Sequence, residues 1–455
     1  MFAVAAGENG ASLNNVSAMA TGLNGEGPAR VWHEERGGFG AAAKPHNLLP
    51  EDAFELQPFV DAKLVFVCRV RLDSRVELLR ELSIGIAEGA AMSDGEILRH
   101  AYRKWQEATP QHVYGDFAFV AWDRGAKRLV AATDHLATFP LFYCLQGQHI
   151  VIGEQLSALL AHPLIEVRLD QRALGLMAAP KLGRRWTMFE GISHLPGGEI
   201  LIYASGSLTL QRWWHPKDTP HIFYGDPREY VEEVRSLFDA AVATRLRANG
   251  EIAATMSSGL DSTLVAATAA RQLHTNGREL HVFTAIPQPG LYVPGCHGQD
   301  ADEGPWAEAV AAIHPNMRHQ VVPPDGVIAL DLLPQLHSSS LTPIRNTANL
   351  VWGASISNRA ASKQARIVLS GDHGNFSISY AAEPRGSNIW HRFRRPNFWR
   401  NAASRIRSLV ETKPEHSDQR CGVDVLNKEF CETHRQELRK MIVPATPRER
   451  FTSFL

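Results

Sequence analysis

A chain of 455 residues that is 44% hydrophobic and 21% charged carries enough apolar surface for two or more globular domains and is not a disordered polypeptide. Its 47 Lys and Arg nearly cancel 48 Asp and Glu, giving a net charge of -1, which removes any composition-level case for nucleic acid or an acidic surface as partner. Five scattered cysteines without a CxxC pair suggest neither a zinc site nor a disulfide scaffold. The lack of a basic-then-apolar leader at the start, and of any apolar run near roughly 18 residues, predicts a cytoplasmic protein with no membrane partner.

In chain order, residues 64–70 read as a strand and residues 71–79 as a turn into a helix. Apolar runs at 117–123, 129–133, 142–144 and 150–153, with turn signals at Arg124-Gly125 and Gly147, predict a layered antiparallel sheet. The same hairpin style recurs at 198–203 and 206–210. The Pro-rich aromatic stretch from Trp213-Trp214-His215-Pro216 to Asp226-Pro227 breaks it, so the predicted domains are residues 1–215 and 216–455.

Beyond that boundary, residues 228–246 have helical spacing, with Val231, Val234, Leu237, Phe238, Ala241 and Val242 on one face. Strands at 252–256, 280–286, 320–322 and 366–369 alternate with helical segments, among them 306–313, so this half is predicted to be an α/β domain on a parallel sheet. Ligands of such sheets sit beyond the carboxyl ends of the strands. That rule places three segments distant in sequence on one rim: residues 257–263, 284–287 and 370–375.

The 257–263 segment, Ser257-Ser258-Gly259-Leu260-Asp261-Ser262-Thr263, lies between an apolar strand and an alanine-rich helix. Small residues let backbone N–H groups approach an anion, hydroxyls add donors, and the helix dipole favours pyrophosphate. Asp261 has the wrong sign for phosphate itself but the right oxygen ligands for Mg²⁺ held against phosphates. The alternative is a tight turn at Gly259 with Asp261 or Ser262 as helix cap.

Ser257-Ser258-Gly259-Leu260-Asp261-Ser262 resembles the SGGxDS pyrophosphate loop of the ATP-pyrophosphatase group, which includes asparagine synthetases. Gly115-Asp116-Phe117-Ala118-Phe119, the run from Thr133 to Tyr143, and Gly191-Ile192 through Leu195-Pro196-Gly197-Gly198 resemble their amidotransferase half. Ala301-Asp302-Glu303-Gly304-Pro305, His314-Pro315-Asn316 with His319, and the run from Leu369-Ser370-Gly371-Asp372-His373-Gly374-Asn375 to Ser379 resemble the lasso peptide cyclases. The resemblance implies an α+β and α/β chain: an N-terminal degenerate class II glutamine-amidotransferase-like antiparallel sandwich and a C-terminal ATP-pyrophosphatase domain.

The implied activity is adenylation of a side-chain carboxyl of a precursor core peptide by ATP with Mg²⁺. Attack by the peptide's own N-terminal amine would then give an isopeptide macrolactam, AMP and pyrophosphate. Implied partners are the precursor peptide and the pathway's leader peptidase and leader-binding protein. Ser257, Ser258, Gly259, Asp261, Ser262, Thr263 and Gly371 are the expected nucleotide contacts, Thr284 to Ile286 the adenine-reading backbone, and Asp261 and Asn375 the Mg²⁺ ligands. Asp372 is the candidate for proton handling or metal contact, or caps a turn. Asp302 and Glu303 complete the catalytic set as carboxylates of the substrate rim, or are solvated loop residues. His319 and His373 are structural or active.

Several residues depart from the pattern. Met1-Phe2 stands where glutamine-using relatives carry their cysteine nucleophile, so glutamine hydrolysis is not expected. Arg69-Val70-Arg71 replaces their NGE segment, Ser258 replaces a glycine, and Asn375 replaces the aspartate of SGEGSDE. Trp390, Phe393, Phe398 and Trp399 alternate with Arg392, Arg394, Arg395 and Arg400, either as a peptide- or phosphate-facing surface or as an exposed helix and loop. The relatives' C-terminal lysine has no assignable counterpart. Truncation, completion by another chain and loss of activity are the three readings. A small-molecule amide ligase and a non-catalytic binding module are the functional alternatives.

Overall fold

A computed structural model describes residues 1–379 apart from 8–10, 35–37, 177–184, 289–301, 325, 343, 345–346 and 348. The arginine- and aromatic-rich stretch from Ala381 to Leu455, and Ala301, lie outside the described residues. The strands are β1 Phe2–Ala6, β2 Arg30–His33, β3 Phe39–Ala43, β4 Phe59–Val60, β5 Leu64–Leu72, β6 Gly115–Asp123, β7 Arg128–Thr133, β8 Leu141–Gln146, β9 His149–Gly153, β10 Ile192–Leu195, β11 Glu199–Ala204, β12 Ser207–Arg212, β13 Glu251–Thr255, β14 Leu280–Ala285, β15 Met317–Val322 and β16 Ala365–Leu369.

The first twelve strands form two six-stranded antiparallel sheets, ordered β10-β8-β9-β1-β3-β2 and β12-β11-β7-β6-β5-β4. Their facing sides make one core of Phe2, Val4, Phe39, Val65, Val67, Val120, Trp122, Ile150 and Leu201. Each outer side is covered as well. Leu64, Phe66, Cys68 and Val70 of β5 pack with Ile97, Leu98 and Tyr102 of helix Asp94–Trp105. Ala3 and Ala5 of β1 pack with Val16 and Met19 of helix Leu13–Thr21. Because successive side chains point to opposite faces and both faces are buried, these strands read as continuous apolar runs rather than alternating ones.

β13 to β16 form a parallel sheet ordered β15-β14-β13-β16. One face carries Ile252, Ala254 and Val282 against Ala266, Ala269 and Ala270 of helix Leu260–His274. The other carries Ala253, Phe283 and Val322 against Ile356 and Ala360 of helix Leu350–Ser362. The expected antiparallel and parallel halves are both present. The long helix after the boundary, Pro227–Arg245, differs in its packing. Val231, Val234 and Leu237 are exposed and only Val242 is buried, because no described element covers the helix's first turns.

The two halves meet through charges. Arg245 makes a bidentate pair with Asp116 at 2.6 and 3.0 Å, and Arg247 reaches Asp94 at 3.1 Å and Glu51 at 3.2 Å. Asn249 N–H donates to the Leu48 carbonyl at 2.7 Å. These contacts fix the segment that leads directly into β13.

Candidate active site

β13 lies between β14 and β16, so its carboxyl end emerges in the middle of the parallel sheet. The chain turns there and starts helix Leu260–His274 at Gly259, whose backbone is extended and supplies no capping side chain. The first N–H groups of the helix are left for another acceptor. The loop is braced from within. Ser262 Oγ accepts from Ser257 N–H at 3.0 Å and lies 2.8 Å from Ser257 Oγ, which accepts from Gly259 N–H at 3.0 Å. Thr263 Oγ1 donates to the Ser257 carbonyl at 3.1 Å.

The loop after β16 packs directly on this turn. A Cβ on Gly371 would sit 2.3 Å from the Ser262 amide nitrogen, and one on Gly374 2.2 Å from Asp261 Cγ; only glycine permits either approach. His373 takes a left-handed φ of +67° between them. Ser379 Oγ lies 2.9 Å from Asp261 Oδ2 and 3.1 Å from Asn375 Oδ1. Asp261 Oδ1 is buried with no hydrogen-bond partner. A carboxylate oxygen removed from water without a donor is costly unless a cation or ligand donor completes it.

Between the two loops lies a cleft of about 420 Å³. Ser257, Gly259, Asp261 and Ser262 line it with Gly371, Asp372 and Asn375, two segments more than 100 residues apart that were expected on one rim, and Glu303 joins them. Ser258 lies at its edge, where its hydroxyl donates to Glu303 Oε1 at 2.9 Å. Other candidates face elsewhere. Asp302 Oδ1 accepts from Gly304 N–H at 2.9 Å at the start of helix Gly304–Ala311. Thr284 is buried, donating to the Met256 carbonyl at 2.7 Å and lying 2.9 Å from His319 Nε2. The Ile286 carbonyl accepts from the Trp352 indole at 2.9 Å.

Met256, Phe283, Ala285 and Ile356 form the apolar wall, and Ser379 the remaining polar edge. Of these, Ala285 lies within the expected adenine-reading backbone and Ser379 ends the run that resembles the cyclases, whereas Met256, Phe283 and Ile356 had no role expected from sequence. Phe283 and Ala285 flank Thr284 and follow from strand alternation once Thr284 is seen to point away; Ile356 sits on a helix with no clear sequence signal. His319 lies half-buried behind the rim, and burial holds its imidazole below the usual range against the opposing charge of Glu308. Among the described residues no three His, Cys, Asp or Glu side chains cluster as a metal site.

In the first half, Arg69 and Arg71 serve packing. The Arg69 guanidinium stands 4.3 Å above the Phe139 ring and 3.7 Å from Glu154, and Arg71 donates to the Thr244 carbonyl across the contact between halves. No described helix is long and apolar enough to cross a membrane.

Residues 6–214 match the family model of the glutamine amidotransferase domain, and residues 233–435 match that of asparagine synthase. Glutamine-hydrolysing asparagine synthetase 3 of Bacillus subtilis is 31% identical over 254 residues, 54% of this chain and 40% of that protein. A putative glutamine-hydrolysing asparagine synthetase of Mycobacterium bovis is 27% identical over 398 residues, covering 81% and 57%. Carboxyethyl-arginine beta-lactam-synthase of Streptomyces clavuligerus is 30% identical over 201 residues, covering 44% and 36%. The matched part of this chain thus spans less than two thirds of each relative's length.

Proposed function

Because this chain belongs to the asparagine synthetase superfamily, we propose that it is an AMP-forming amide ligase, and within that class a lasso peptide cyclase. A carboxylate oxygen of an Asp or Glu side chain in a precursor peptide attacks the α-phosphorus of ATP, and pyrophosphate leaves. The peptide's N-terminal amine then attacks the acyl-adenylate carbonyl, AMP departs, the amine gives up a proton, and the peptide has lost one water. The observation that carries the ligase reading is the cleft joining the 257–263 turn to the 370–379 loop, lined by Asp261, one of whose carboxylate oxygens is buried without a hydrogen-bond partner.

The free N–H groups at the start of helix Leu260–His274 and the small residues around Gly259 suit pyrophosphate. Apolar Met256, Phe283 and Ile356 suit the adenosine end and exclude water from it. The donor set fits Mg²⁺: Asp261 Oδ1 needs a positive partner, and Asn375 adds an amide oxygen. Mg²⁺, when bound, would neutralise the leaving pyrophosphate. Glu303, tethered by Ser258, and exposed Asp372 are the carboxylates available to orient an incoming amine or take its proton. The cyclase reading rests on the Gly371-Asp372-His373-Gly374-Asn375 run and on an amine supplied by the substrate, which needs no glutamine-derived ammonia. A precursor peptide, leader peptidase and leader-binding protein belong to this proposal.

Purified protein given ATP, Mg²⁺ and a processed core peptide should release AMP and pyrophosphate and yield a product lighter by one water. Asp261→Asn should slow AMP release by about 100-fold or more, as for loss of a preorganised electrostatic group. Failure of the parent protein to give either AMP or dehydrated peptide would sink the cyclase reading. The similarity to a beta-lactam-synthase favours a second reading, a ligase for free amino acids. Pyrophosphate release that depends on a small amino acid and not on peptide would establish it instead.

A further inference from the structure

We propose that Ser379 is a positioning residue whose hydroxyl aims the Asp261 carboxylate at the cation-binding end of the cleft; this rests on the ATP and Mg²⁺ reading above. Ser379 Oγ has one proton and two oxygens within reach, Asp261 Oδ2 at 2.9 Å and Asn375 Oδ1 at 3.1 Å. The proton goes to the charged acceptor, because a hydrogen bond to an ionised oxygen is the stronger. Two oxygens without a proton between them would then face each other at Asn375. Half a turn of the amide resolves this by presenting Nδ2–H to Ser379 Oγ, the orientation a hydrogen-bond network assigns.

The result is a directed chain in which the Asn375 amide donates to Ser379 and Ser379 donates to Asp261. It accounts for asparagine at position 375. An aspartate there would have no proton for Ser379 and would set a second negative charge beside Asp261. The chain occupies Asp261 Oδ2 and leaves Oδ1, buried and unpaired, as the oxygen free for a cation. Gly374 approaches the carboxylate so closely that a Cβ there would lie 2.2 Å from Asp261 Cγ and 2.5 Å from Oδ1, so the absence of a side chain at this position keeps space beside Oδ1. Removing the hydroxyl frees the carboxylate to turn and costs alignment, while the direct ligand remains.

The test is Mn²⁺ binding, read by electron paramagnetic resonance in the presence of a non-hydrolysable ATP analogue. It compares the parent protein with Ser379→Ala, Ser379→Thr and Asp261→Asn, each checked for an unchanged melting temperature. Ser379→Ala should weaken Mn²⁺ binding by about 10- to 100-fold, the usual cost of losing a group that orients a metal ligand. Metal-free binding of the nucleotide analogue should be unchanged. Ser379→Thr, which keeps the hydroxyl, should stay near the parent value. Equal loss in Ser379→Thr and Ser379→Ala would assign the effect to packing and overturn the proposal. So would parent-like binding in Ser379→Ala alongside loss in Asp261→Asn, an outcome that leaves the ATP and Mg²⁺ reading intact. Parent-like binding in Asp261→Asn would overturn that reading and this proposal together.

Discussion

Glu55 shows how a single buried group can set the response of the first half to pH. Burial pushes its carboxyl up to about 7, although Gln57 Nε2 donates to it at 2.5 Å. The folded state therefore holds a proton that the unfolded chain has released. The stabilisation is complete below about pH 4.5 and is lost as pH rises through about 7, an effect of up to about 3 kcal/mol. Neighbouring His46 works in the opposite direction. Burial lowers its imidazole to about 3, so its contribution is present above about pH 6.5 and is lost as pH falls. Glu55→Gln keeps the shape and an acceptor for Gln57 and cannot ionise. Thermal melts should show it more stable than the parent at pH 8 and little changed at pH 5. In the cleft, the serines, Gly259 and Asp261 were legible because spacing, residue size and charge were all written locally. At Thr284 the expectation concerned the backbone; that its hydroxyl turns to Met256 and His319 is set by strand alternation within the sheet rather than by local chemistry.

At the scale of elements, two loops from neighbouring strands share one surface. Gly371 approaches Ser262 so closely that any side chain must separate them. Gly371→Ala should lift the 370–379 loop at a cost of about 1–3 kcal/mol, or roughly 5- to 150-fold in ATP affinity. The melting temperature should move little, because the loop is at the rim and the parallel sheet beneath is unchanged; calorimetric titration with ATP measures the effect. The strands β5, β6 and β7 were readable as apolar runs bounded by turns. β1 and β3 were not, because Phe2-Ala3-Val4-Ala5-Ala6 and Phe39-Gly40-Ala41-Ala42-Ala43 carry few β-branched residues. Their small side chains are a tertiary requirement: helix Leu13–Thr21 lies so close that a Cβ on Gly40 would be 2.5 Å from Val16 Cγ2.

Across the whole molecule, the segment before β13 is held by carboxylates of the other half. Asp94 is buried and receives Arg247, Arg75 and the Leu72 N–H. Removing one partner of a buried pair leaves charge uncompensated, and Arg247→Ala should cost roughly 3 kcal/mol, the low end of the range because Arg75 still serves Asp94. Scanning calorimetry should show a lower melting temperature and a separation of the transitions of the two halves. The cleft proposed to hold ATP should lose affinity for it as well, since β13 is anchored through this contact.

The local sequence determined the class of each half and the strand-turn-helix unit at the centre of the candidate site. Apolar period, turn residues and the strand-loop-helix succession at 252–267 are properties of neighbouring residues, and short-range sterics suffice to express them. Only the tertiary structure decided that Asp261 meets Asn375 through Ser379, that Met256, Phe283 and Ile356 wall the cleft, and that Arg69 and Arg71 serve packing. Each of those outcomes depends on which strands are adjacent and which way a side chain faces across a sheet. At the cleft the parallel pairing of β13 with β14 and with the distant β16 sets both, and for Arg69 and Arg71 the antiparallel pairing of β5 with β6 does; no local pattern encodes either.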